Sequence, residues 1–262
     1  MSLLLIGAGR MGAALLKGWL KQDVGAITVV EPKPSTELKS LAKKKKIVLA
    51  GAVPAGKFSA CVVAIKPQVL KSEAAQLTAI AKNALMISIA AGTDTKRLSQ
   101  AWGTKARIIR AMPNTPGAIG EGITGLFAGK SATTADRKRA QELLSALGET
   151  VWVARENLID SVTAVSGSGP AYLFLMAEAL TEAGVAEGLP RAQAEKLARA
   201  TVAGAGALLK ADKTSAAALR EAVTSPGGTT AAALSVLMAK DGLPALMKRA
   251  VHAARKRAEE LR

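Results

Sequence analysis

Over its first 155 residues the chain alternates short, continuous apolar runs with segments of helical spacing. The run Ser2-Leu3-Leu4-Leu5-Ile6 ends in Gly7-Ala8-Gly9-Arg10-Met11-Gly12, and Ala13 to Leu20 then reads as a helix. Ile27-Thr28-Val29-Val30 is a second strand. Further strands are expected at Ile47 to Leu49, Ala60 to Ile65, Ala84 to Ile89 and Arg107 to Ala111, separated by helical patterns at Val69 to Lys82 and Thr95 to Trp102. Strands at Ile123 to Phe127 and Thr150 to Val153, with a helix from Thr134 to Leu147 between them, complete this part. Runs that are apolar throughout are buried on both faces, so the pattern predicts a parallel sheet covered by helices.

Beyond Arg155 no strand run follows, only helical patterns punctuated by glycine and proline. Ser166-Gly167-Ser168-Gly169-Pro170 leads into a helix over Ala171 to Ala183, with Pro170 suited to its first position and Gly184 to its stop. Gly188-Leu189-Pro190 opens a longer helix to Lys210, in which Ala200, Gly204 and Ala207 allow a second helix to approach closely. Ser215 to Val223, Ala231 to Met238 and Leu243 to Leu261 are the remaining helices. The expected organisation is an α/β domain at residues 1–155 followed by an all-helical domain at 156–262.

Composition narrows the class. Of 262 residues 49% are apolar but only 3% aromatic, so the core is built from Ala, Leu, Val and Ile. The N-terminal apolar run has no basic residues ahead of it and is too short to be a signal or membrane segment, which predicts a cytoplasmic protein with no membrane partner. Cys61 has no internal disulfide partner, and one His with one Cys leaves little for a zinc site, so no metal is expected. The net charge of +16 is uneven: residues 1–155 hold 23 Lys and Arg against 9 Asp and Glu, whereas 156–262 hold 13 against 11. Lys43-Lys44-Lys45-Lys46 is the densest cluster, but no aromatic residues interleave it to stack on bases, so it reads as a solvated face without nucleic acid.

Two stretches carry candidate chemistry. In the glycine stretch, Gly7 permits the turn, Gly9 lets backbone approach a pyrophosphate, and Gly12 lets helix and strand pack closely. Glu31 lies 24 residues after Gly7, at the strand end where an acid meets the adenosine ribose. Ligands of such sheets sit beyond the carboxyl ends of the strands, which here carry Ile65-Lys66-Pro67, Ala90-Ala91-Gly92 and Met112-Pro113-Asn114-Thr115-Pro116. In the helical half, Ser225-Pro226-Gly227-Gly228-Thr229-Thr230 places a tight turn and two hydroxyls at a helix start, an anion-binding arrangement suited to a small carboxylate.

The chain resembles the pyrroline-5-carboxylate reductases through Gly7 to Gly12, Ala64-Ile65-Lys66-Pro67, Arg110-Ala111-Met112-Pro113-Asn114-Thr115-Pro116, Ser166 to Tyr172 and Ser225 to Thr230, in order over almost its whole length. The resemblance implies a Rossmann domain followed by a helical dimerisation domain, in a family whose homodimers often assemble into decamers. It implies hydride transfer from NADPH or NADH to a cyclic imine carboxylate, giving L-proline. By position, Ile6, Gly7, Ala8, Gly9, Arg10 and Met11 would line the pyrophosphate. Ala64, Ile65, Lys66 and Pro67, with Ala90, Ala91 and Gly92, would form the nicotinamide side, and Asn114 is counted with the cofactor site. Glu156 stands where the family has a substrate-proximal acid. Ser225, Gly228, Thr229 and Thr230 would hold the imine's carboxylate, with the Thr230 hydroxyl near the ring nitrogen as the catalytic group. The chain departs from the family at Gly51, where many relatives carry asparagine near the adenosine, and at Glu31, where NADPH-preferring relatives carry small polar residues.

Reducing a C=N bond needs a hydride over the carbon and a protonated nitrogen, so positioning and electrostatics can supply most of the rate without a His, Lys or Asp cluster. His252, among Lys248, Arg249, Arg255 and Lys256, is read as a surface or interface residue. Two other readings stay open. One is a related reductase of another imine or of a β-hydroxy acid, although the latter generally need a lysine or acid in the first long helix after the sheet, and Ala171 to Ala183 has no lysine. The other is a basic nucleic-acid-binding or cofactor-sensing protein. Glu31 favours NADH, Lys33, Ser35, Thr36 and the positive first half favour NADPH, and both cofactors are expected to work.

Overall fold

The computed structural model describes residues 2–261. These form strands β1 (Ser2–Ile6), β2 (Ala26–Val30), β3 (Val48–Ala50), β4 (Ala60–Val63), β5 (Leu85–Ser88), β6 (Arg107–Met112), β7 (Gly122–Ala128) and β8 (Gly148–Trp152). They make one sheet in the order β3-β2-β1-β4-β5-β6-β7-β8. Helices α1 (Arg10–Gln22), α2 (Thr36–Lys43), α3 (Pro67–Glu73), α4 (Thr78–Ala81), α5 (Thr95–Trp102), α6 (Thr134–Leu144) and α7 (Leu158–Val162) accompany it. Side chains alternate along β1. Leu3 and Leu5 join a core with Leu15, Trp19 and Leu143, while Leu4 and Ile6 join a second with Leu70, Leu77 and Trp102. Both faces are covered, which is why β1 reads as an unbroken apolar run.

Three local expectations are corrected. First, β7 runs antiparallel to β6, whereas the other pairings are parallel. Only residues 113–121 connect them, fewer than the dozen or more a parallel crossover needs. Second, the expected helix at Val69 to Lys82 is broken into α3, a 3₁₀ turn at Ala74–Leu77 and α4. The Trp102 indole donates to Ala74 O (3.0 Å) and the Thr78 hydroxyl to Ala101 O (2.9 Å), drawing this segment onto α5. Third, the helix expected to stop at Gly184 continues.

The chain divides into two compact units, Met1–Gly167 with Ala254–Arg262, and Ser168–Ala253. The change to helical sequence after Arg155 thus precedes the structural boundary: α7 and a π-helical turn at Thr163–Gly167 pack with the sheet, Val162 lying against Gly125 of β7. The second unit holds α8 (Gly169–Ala186), α9 (Arg191–Ala211), α10 (Ala216–Ala222), α11 (Thr229–Leu237) and most of α12 (Leu243–Glu260). Gly188, at φ +93°, follows the end of α8; Gly184 lies within it, where a Cβ would come 3.3 Å from Ala194 Cβ of α9. Within this unit Thr181, Ala194 and Ala198 are the buried residues, whereas Leu173, Phe174, Leu175, Val236 and Met238 are exposed.

Candidate active site

Strand register builds the site. Val30 of β2 pairs with Ile6 of β1, Ile6 with Val63 of β4, Val63 with Ser88 of β5, and Ser88 with Arg110 of β6. One row of residues therefore crosses the sheet, and the segments that follow it emerge side by side: Gly7 to Met11, Glu31, Ala64 to Pro67 and Ile89 to Gly92. Chain order reverses between β1 and β4, the switch point at which such sheets take ligands.

The glycine turn is closely packed at its ends and open in its middle. Gly7 sits at φ +88°, and a Cβ there would lie 2.6 Å from Ile65 Cγ2 and 2.9 Å from Ala64 O. At Gly12 it would strike Gly7 O, with Ala64 Cβ 3.3 Å away. At Gly9, by contrast, no atom lies within 4 Å. Gly9 also caps α1 without any side-chain bond. Open space beside an uncapped helix N-terminus fits a pyrophosphate, whose charge is favoured by the helix dipole.

Glu31 reaches this turn directly, its Oε2 accepting from Ala8 N (3.0 Å) and its Oε1 from Lys33 N (3.1 Å). The acid thereby joins the first glycine turn to the loop before α2. On the other side of the switch point, Lys66 is the exposed cap of α3 and Pro67 begins that helix. Ala90 is buried, Ala91 is exposed, and Gly92 adopts φ +68° with the Leu261 carbonyl 2.6 Å from where its Cβ would stand. Asn114 turns toward β7, its Oδ1 accepting from Ile123 N (3.0 Å).

Glu156 belongs to a cluster that strand and helix patterns did not reveal. Its Oε1 accepts from Thr95 N and its Oε2 from Thr95 Oγ1, both at 2.7 Å. Arg110 Nη1 lies 3.3 Å from Glu156 Oε1, and Nη2 lies 3.9 Å from Asp160 Oδ1. The Arg110 side chain is only 3% exposed, so its charge depends on these carboxylates. Removing one partner of a buried pair typically costs about 3–5 kcal/mol. The available signal was Arg110 between the apolar residues Ile109 and Ala111 in the interior of β6, since an unpaired buried charge is rarely tolerated.

In the second unit, Gly228 N donates to Ser225 O (3.0 Å) and Gly227 takes φ +70°. A Cβ at Gly228 would collide with Ser225 Oγ. Gly228 caps α11, again with no side-chain bond, leaving Thr229 and Thr230 in the first turn beside free helix N–H groups. Ser225, Gly228, Thr229 and Thr230 are thus brought together in one turn at the start of α11.

Comparison with known proteins covers both units. A family profile described as pyrroline-5-carboxylate reductase dimerisation matches residues 156–261, and one described as NADP oxidoreductase coenzyme F420-dependent matches residues 2–92. The pyrroline-5-carboxylate reductase of Pseudomonas aeruginosa is 38% identical over 260 residues, 98% of this chain and 95% of that one. The chain belongs to the pyrroline-5-carboxylate reductase family. The Synechocystis reductase of this family is 47% identical over 199 residues, covering 76% of this chain and 73% of its own. The solved reductase from Coxiella burnetii superposes with a TM-score of 0.91 at 35% identity, covering 99% of this chain and 97% of that one. The Plasmodium falciparum enzyme, solved with NADP bound, gives 0.81 at 26% identity over 100% and 98%. Among the described residues of this family member, no helix is long and apolar enough to cross a membrane, and no group of three His, Cys, Asp or Glu could hold a metal ion.

Proposed function

We propose that the chain reduces 1-pyrroline-5-carboxylate to L-proline with NADPH or NADH, the last step of proline biosynthesis. What supports this reading is a pair of uncapped helix starts, behind Gly9 and behind Gly228, in one chain whose relatives over nearly its full length are pyrroline-5-carboxylate reductases. When bound, the reduced nicotinamide supplies the hydride. Gly7 to Met11 line the pyrophosphate, which takes its hydrogen bonds from the N–H groups at the start of α1 because Gly7 N and Ala8 N already donate to Val30 O and Glu31 Oε2. Glu31 takes the ribose side, and Ala64 to Pro67 with Ala90 to Gly92 border the nicotinamide. Gly228, Thr229 and Thr230 bind the imine's carboxylate at the start of α11. The Thr230 hydroxyl hydrogen-bonds the imine nitrogen, directly or through water, and steadies the protonated form that accepts the hydride.

Dual cofactor use is part of the proposal. Glu31 accepts ribose hydroxyls and repels a 2′-phosphate, while Lys33 and the strongly positive first 155 residues draw that phosphate in. So is self-association: α8 exposes Leu173, Phe174 and Leu175, more apolar surface than a lone helical unit with three buried residues accommodates. A second copy is the partner expected to cover it, in keeping with the match to the dimerisation profile. A cytoplasmic location is also proposed, in keeping with the lone free thiol of Cys61.

The test follows nicotinamide absorbance with pyrroline-5-carboxylate and each cofactor separately. Turnover with both is expected, and a preference beyond about a hundredfold in kcat/KM, ~2.7 kcal/mol, would refute dual use. Thr230→Val is expected to lower kcat/KM for the imine by at least about tenfold. An unchanged value removes Thr230 from the chemistry.

A further inference from the structure

We infer that Glu156 is a positioning residue for the nicotinamide border and makes no contact with the imine. The inference rests on the proposed function and deepens it. Three donors converge on this carboxylate: Thr95 N, Thr95 Oγ1 and the Arg110 guanidinium. They come from two elements of the sheet unit, α5 and β6, while Glu156 itself lies just before α7. A group so committed would surrender strong bonds to reach a ligand.

What it holds is informative. Thr95 is the first residue of α5, and the loop Ala90 to Asp94 runs into it from the end of β5. At the near end, Ile89 N donates to Val63 O (3.1 Å) and Ala90 N to Ser88 Oγ (3.4 Å). At the far end, Asp94 caps α5 through Arg97 N (2.7 Å), and Glu156 adds a second cap from outside the helix. Arg110 lies in the same strand-to-strand row as Ser88, so its charge aims Glu156 at this end of the loop. Cutting that anchor frees Ala90 to Gly92, which border the nicotinamide. It leaves untouched the Gly7 to Met11 turn and Glu31, which serve the pyrophosphate and adenosine on the opposite side of the switch point.

This asymmetry is testable with ADP-ribose, which lacks the nicotinamide ring. In Glu156→Ala, ADP-ribose affinity should stay within about twofold of wild type, while the NADH Kd rises by at least about fivefold and kcat falls by at least about tenfold. KM for the imine should stay within about twofold. Glu156→Gln keeps one oxygen acceptor for Thr95 and should fall between. Thr95→Val removes the hydroxyl bond without exposing Arg110, and it should show the same pattern in weaker form even where Glu156→Ala folds poorly. Equal weakening of ADP-ribose and NADH, or no change in either constant or in kcat, would overturn the inference. So would a raised imine KM with unchanged dinucleotide affinities, which would make Glu156 a substrate contact. A wild-type protein that binds both dinucleotides but does not reduce the imine would refute the proposed function, and the two binding constants would still decide the role of Glu156.

Discussion

Alanine at the second and third glycines of the first turn should separate ligand access from packing. At Gly12 the new methyl would meet Gly7 O, a backbone atom that cannot swing aside, with Gly7 C 3.1 Å and Ala64 Cβ 3.3 Å away. Overpacking of this kind costs up to about 3 kcal/mol. Replacing glycine inside a helix returns about 1 kcal/mol of propensity. The net loss is about 2 kcal/mol, which for a unit of this size lowers the melting temperature by about 4–8 °C. At Gly9 the methyl meets no atom within 4 Å, and φ of −64° suits alanine. Only the weaker cap counts there, below about 1 kcal/mol, or less than about 4 °C. The same methyl fills the space through which backbone N–H groups must reach the pyrophosphate, so dinucleotide affinity should fall at least about tenfold, ~1.4 kcal/mol. Thermal melts and fluorescence titration with NADH read the two effects apart. Unchanged dinucleotide affinity in Gly9→Ala would refute the assignment of this turn, and an unchanged melting temperature in Gly12→Ala would refute the packing argument.

Burial pushes the Cys61 thiol far above its ordinary range, so the native protein should resist alkylation at pH 8 at any rate faster than unfolding. Because the unfolded thiol ionises first, the associated stability is intact below about pH 8.5 and is lost above it, by up to ~1.4 kcal/mol per pH unit. Denaturant titrations of wild type and Cys61→Ala at pH 8 and pH 10 should show that loss in the wild type only, and parallel behaviour would contradict it. Phe174→Asp should weaken self-association by at least about a hundredfold, since a twofold interface counts each ~1.5–3 kcal/mol loss twice. Light scattering across a dilution series measures it, and an unshifted dissociation midpoint would remove Phe174 from the interface.

Much of this protein is local in origin and therefore legible along the chain. The apolar strands, the glycine spacing of the first turn and α5 follow from burial on both sheet faces and from the backbone freedom of glycine. The turn at Ser225 to Thr230 was visible for the same reason: its glycines and hydroxyls act within a few residues of one another. Even the antiparallel β7 was implicit in a connection too short for a crossover. What the chain order could not reveal were interactions between distant residues. The break in the helix expected at Val69 to Lys82 depends on Trp102 and Ala101, and the continuation of α8 through Gly184 places that glycine against Ala194. Glu156 shows the difference most sharply. The family resemblance implies an acid near the substrate at this position, and nothing local in the sequence announces that its hydrogen bonds tie it to Thr95 and Arg110, 61 and 46 residues away. Local sequence determines which turns can bind an anion, because the backbone N–H groups and glycines involved are neighbours. Tertiary structure decides what a carboxylate does, because a charge takes its role from whichever donors the fold brings within reach.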